Sequence, residues 1–164
     1  VKGSFGGGFR WEGKHVEHFA AKAKEDLARR LLRLAERIER AVRSLPREKL
    51  WVKLYACGKS VGHLVLRIAG SLSHPLGAII AGTGYVRDRC AEFTDTRGAP
   101  PEVVLQRFQE VVQLVVKALR EHTVEQLTEP VTDEGPVRTR FGLFMASAAH
   151  MNNHIGQTAY LIQV

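Results

Sequence analysis

The chain has 164 residues, of which 45% are hydrophobic and 25% charged, and it carries a net charge of +7. That is the composition of one globular domain able to bury a core, not of a disordered or membrane-embedded chain. The longest apolar run, 76–81, is far too short for a bilayer, and no secretory-signal order opens the chain.

Residues 1–15 hold five glycines and few apolar side chains, and read as a flexible N-terminal arm; residues 16–164 read as one domain. A first helix is expected from about Val16 to Leu45. Leu27, Leu31, Leu34, Ile38 and Val42 recur at three- and four-residue spacing, and Pro46 closes it. Acid-first pairs at i, i+4 (Glu25–Arg29, Asp26–Arg30, Glu36–Arg40, Glu39–Arg43) lace its outer face. In the connection that follows, Trp51 and Tyr55 are expected to cover one end of the core.

Ser60 is a good N-cap for a second helix, whose buried face uses Val61, Leu64, Val65, Ile68 and Leu72 and continues through Leu76, Ile79 and Ile80. Pro75 predicts a kink or break at Ser73–His74. Residues 82–101 lack periodicity and read as a long loop. A third helix follows Pro100-Pro101 to about His122, with Val104, Phe108, Val111, Val112, Val115 and Leu119 inward. After a second connection, a fourth helix is expected from Val137 to Ile162. No alternating run suggests a strand. The expected fold is therefore all-α, a four-helix bundle with long crossover connections.

Of the net charge, +8 lies in the first 60 residues, with 15 basic against 7 acidic side chains. Ion pairs on the first helix account for most of it, and no aromatics interleave with the arginines as a single-strand binder would require. Nucleic acid is therefore not favoured as a partner. Two cysteines, Cys57 and Cys90, make no disulfide framework, so reduced thiols and a cytoplasmic location are expected. A homodimer is the expected oligomer, the charged first helix or the apolar end of the second supplying the contact.

The chemistry concentrates in the fourth helix. His150 and His154 stand four residues apart, on one face, where two neutral imidazoles can share a divalent ion. The spacing alone equally fits two polar residues hydrogen-bonded at a helix interface.

Three stretches resemble the DinB/YfiT-like family of bacterial metalloenzyme bundles. His150-Met151-Asn152-Asn153-His154-Ile155-Gly156-Gln157 is similar to its H-x-x-x-H-x-G-Q segment. Ser60 to Gly70 resembles the opening of its second helix. Arg87-Asp88-Arg89 to Glu92-Phe93 resembles a loop of one subgroup. The resemblance runs from about Phe19 onward. It implies a divalent metal, zinc or nickel, on three histidines, with some members acting as thiol-dependent transferases or hydrolases.

His150 and His154 match that set. The second-helix histidine falls where this chain has Arg67, which stays protonated and has no lone pair to offer. Either His63, one turn earlier, supplies the third imidazole, or the Arg67 guanidinium takes the metal's place. The balance favours the second outcome: a metal-free site in which Arg67, His150 and His154 suit a small anion, carboxylate or phosphate. Were the protein an enzyme, Asp88 or Glu92 would be the candidate base and Cys90 the candidate nucleophile. A solvated or capping role is the simpler account of these residues, and the catalytic groups stay unassigned.

Overall fold

The computed structural model describes residues 13–55, 58–88, 90, 98–132 and 135–163. Helix α1 spans Gly13–Arg43 and buries Leu27, Leu31, Leu34, Ile38 and Val42 along one stripe. It begins earlier than its apolar periodicity, so residues 13–15 belong to the helix; residues 1–12 of the expected arm lie outside the described residues. A short 3-10 turn, Arg47–Lys49, follows.

Helix α2, Val61–Leu72, starts where Ser60 caps it, the hydroxyl oxygen accepting the His63 N–H at 3.3 Å. The α-helical pattern ends at Leu72, where Pro75 predicts a kink or break, and the helix goes on in another form. Proline removes one N–H and crowds the carbonyl four residues back, and the chain absorbs this by widening to a π-helix over Ser73–Ile80. Val61–Ile80 together form a 20-residue stretch, long and apolar enough to cross a bilayer at a mean hydropathy of 1.2, and its most apolar part is 56% buried inside the protein. The uninterrupted run 76–81 understated this stretch because His63, Arg67, His74 and Pro75 interrupt it. Ile79, expected inside, is 41% exposed, since the wider π-turn carries it off the buried stripe.

Helix α3, Pro101–Glu121, opens with proline in its first turn. The connection after it contains a helix that periodicity cannot reveal, α4 (Val124–Thr128), fixed by a reciprocal capping box between Thr123 and Gln126. An antiparallel bridge between Pro130 and Thr139 then doubles the chain back. Thr139 Oγ1 accepts the Gly142 N–H at 3.1 Å, which is why α5 begins at Arg140 rather than at Val137; it runs Arg140–Gln163.

The long helices form a ring. α1 packs on α3 and α5, and α2 packs on the same two, so the consecutive pair α1 and α2 lie across the bundle from each other and barely touch. The 44–60 connection is therefore a crossover, as the bundle reading requires. Phe108, Phe144, Val65 and Ile68 are fully buried at the centre.

One end of α2 is sealed by Trp51. Its Nε1 donates to the Ala99 carbonyl oxygen at 3.0 Å, and its ring meets His63 edge-on at 5.2 Å between centroids. The ring lies flat enough on α2 that a Cβ on Gly62 would stand 2.8 Å from it. Tyr55, by contrast, is 69% exposed and covers nothing. Gly62→Ala must push a hydrogen-bonded indole rather than a flexible chain end. Urea unfolding should show a loss of about 1–3 kcal/mol, with a red-shifted indole emission as Trp51 lifts.

Candidate functional site

Helix α5 places His150 and His154 on one face, one turn apart, as the spacing requires. Their Nε2 atoms are 3.1 Å apart, with the rings perpendicular and the centroids 4.4 Å apart. His154 is buried and His150 half-buried. Gln157, one turn further, presents Oε1 to His154 Nδ1 at 2.8 Å, so Nδ1 carries the ring proton. His154 Nε2 is then a bare acceptor, and it faces His150 Nε2. Thr158 Oγ1 donates to the His154 carbonyl oxygen at 2.9 Å and fixes the turn beneath.

Arg67, half-buried on α2, and Lys59, just before the Ser60 cap, bring positive charge to the pair. Burial holds the His154 pKa below its ordinary value against the opposing Gln157 bond, and the charges of Arg67 and Lys59 lower it further. Lys59 is itself lowered, first by desolvation and then by Arg67. An open depression of about 640 Å³ adjoins them, lined by Lys59, Leu64, Asn153, Gly156, Gln157 and Tyr160. Gly156 leaves it open, because a Cβ there would meet nothing within 4 Å. Sequence reasoning missed Lys59 and the role of Gln157. The H-x-G-Q pattern held the signal for Gln157, which lies one turn beyond His154; nothing local marked Lys59.

His63 is brought elsewhere. Its Nδ1 lies 2.6 Å from Ser60 Oγ and its ring packs against Trp51. Among the described residues no three of His, Cys, Asp and Glu gather as a metal would need. Two nitrogens on one tetrahedral zinc, each at about 2.0–2.1 Å, stand about 3.3 Å apart. The imidazole pair at 3.1 Å therefore fits two positions of such an ion. The described residues bring no third ligand to the pair: Arg67 offers no lone pair, and His63, whose Nδ1 is engaged by Ser60, does not gather with His150 and His154. Asp88 and Cys90 are exposed on the 81–100 connection and join no such cluster. Glu92 lies outside the described residues.

The chain belongs to the family described as "Protein of unknown function (DUF1572)", whose model matches residues 18–164, and this family is DinB/YfiT-like. No curated protein matches the chain. Among solved structures it is similar to the colibactin self-resistance protein ClbS, crystallised in complex with a double-stranded DNA. The identity is 18%, the TM-score 0.67, and the match covers 84% of this chain and 94% of that one. At that identity the likeness is one of fold.

That structure corrects the expectation on partners: nucleic acid cannot be set aside for this bundle, since a protein of the same fold was crystallised on a duplex. The expectation weighed the wrong features. Aromatic stacking serves single strands, whereas a duplex is held by cations at its phosphates and asks for no aromatics. The assumed neutralisation of α1 is also incomplete. Asp26 pairs with Arg29 at 2.6 Å instead of Arg30, and Glu25 is taken by Arg120 of α3 through two bonds of 3.0 Å.

The depressed His154 pKa fixes a sign for stability. The unfolded chain takes up this proton near pH 6.5 and the folded chain only below that, so the stabilisation is present above about 6.5. It is lost as pH falls through the folded pKa. Urea unfolding at stepped pH should therefore show a steeper acid-side fall for the parent than for His154→Gln. Equal slopes would mean that His154 titrates as in the unfolded chain.

Proposed function

We propose that this protein binds a small anion, a phosphate or a carboxylate, in the depression between the start of α2 and the second half of α5. The carrying observation is the gathering of Lys59 and Arg67 beside the imidazole pair, close enough that each cation lowers the pKa of the buried His154. Like charges kept together at a concave, partly desolvated surface are stabilised by an anion between them. Lys59 supplies a point charge in the wall of the depression and Gln157 and Asn153 hydrogen bonds, while Arg67 adds positive charge nearby. The reading is metal-free, with the Arg67 guanidinium supplying the positive charge that a metal would otherwise bring.

Thermal unfolding in inorganic phosphate and in citrate tests this. An anion at 100 times its Kd should add about 2.7 kcal/mol, visible as a raised Tm, and Arg67→Gln or Lys59→Gln should abolish the rise. Gly156→Leu should fill the depression and abolish it too. That variant should keep or raise basal stability by up to about 1 kcal/mol, because leucine is the better helix former. Elemental analysis after native purification should find the parent empty and Arg67→His holding close to one equivalent of zinc or nickel. A Tm indifferent to both anions, or a metal-loaded parent, would sink the proposal.

A second reading, association with duplex DNA, is supported by the fold shared with ClbS, which was crystallised on a duplex. It concerns a larger anion and need not use the same face.

A further inference from the structure

A second strongly charged surface lies on α1. Between Arg29 and Arg43 the helix carries six arginines, all exposed, against two glutamates. At 100° per residue, Arg30, Arg33, Arg37 and Arg40 share an arc of about 80° that holds no carboxylate between them, and the row is about 15 Å long. Arg37 and Arg40 form the rim of a groove of about 360 Å³ between α1 and α5, floored by Ile38, Ile155, Thr158 and Ala159.

What faces this row across the groove decides its meaning. Helix α5 contains no aspartate or glutamate in its 24 residues. Its polar contact with the row is an amide: Arg30 Nη2 donates to Asn152 Oδ1 at 3.2 Å. The carboxylate Glu25, which would temper the row from its own helix, is held by Arg120 on the α3 side. The bundle thus neutralises α1 where it meets α3 and leaves it positive where it meets α5.

Resting on the second reading above, we infer that the α1 arginine row along the α1–α5 groove is the surface on which this protein takes a DNA duplex, by its phosphate backbone. Three features select a duplex. The row is straight and rigid, as a helix is, and matches a stiff line of phosphates better than a collapsing coil. Its charges are arginines, which take phosphate oxygens in pairs. No aromatic residue occurs between Phe19 and Trp51, so the row has nothing on which unpaired bases would stack. Binding of this kind reads no sequence and responds steeply to salt.

Fluorescence anisotropy with a labelled duplex of about 20 base pairs, titrated between about 50 and 200 mM salt, tests the assignment. The parent should bind, with log affinity falling linearly in log salt. The triple variant Arg33→Ala, Arg37→Ala, Arg40→Ala should lower that slope by about 2–3, at about 0.9 for each phosphate left without its arginine. Its side chains are exposed, so helicity by circular dichroism should be unchanged. Arg107→Ala with Lys117→Ala, the same kind of change on α3, should leave the slope as it is, and so should Lys59→Gln. If the parent binds but the triple variant keeps its slope, the surface is wrong while DNA association stands. If the parent binds no duplex, DNA association falls as well. A matching single strand, or anionic vesicles, bound as tightly as the duplex would also overturn the assignment.

Discussion

Helix α2 is covered on nearly every side, and that constraint shapes the polar chemistry of the protein. α3 and α5 flank it, and Trp51 lies over its first turn, so Val61 to Val65 and Ile68 to Gly70 are all buried. A polar side chain on such a helix has no bulk water to fall back on and must be satisfied by its neighbours. Ser60 takes up His63 Nδ1 and the His63 backbone N–H within one turn. Arg67, further along, keeps its charge, and its influence reaches His154 and Lys59. The chemistry of the α2–α5 interface follows from which polar groups a buried helix can settle locally and which it must share.

Much of the fold was legible because its signals are local and repeated. The stripes of α1 and α3 fixed those helices to within a few residues, and the buried residues are largely those the periodicity named. The errors have different origins. Pro75 marked where the α-helix ends, but that the chain goes on as a π-helix, its hydrogen bonds reaching five residues back, is not written in a one-dimensional pattern. Helix α4 is five residues long, too short for a period, and rests on two side-chain caps.

The site was legible in part. The spacing of His150 and His154 fixed their meeting, because a helix enforces it. Where His63 turns was not readable. Its ring nitrogen is claimed by a serine three residues earlier, an interaction that depends on a cap rotamer rather than on the register of α2. Lys59 reaches the site from a connection, where no periodicity speaks. Ion pairing on α1 failed as a guide for a related reason: i, i+4 geometry ranks partners within one helix, whereas Glu25 found a better fork on another helix.

Trp51 has one more consequence. Its indole is hydrogen-bonded to the backbone at Ala99, at the far end of the 81–100 connection, while its face rests on Gly62 and its edge meets His63. Two loops distant in sequence are thereby fastened through one ring to the cap of the buried helix. Displacing the chain at Ala99 would tug the indole, and with it the turn that carries Ser60 and His63. In mechanical terms the ring is a tie between one connection and the first turn of the buried helix.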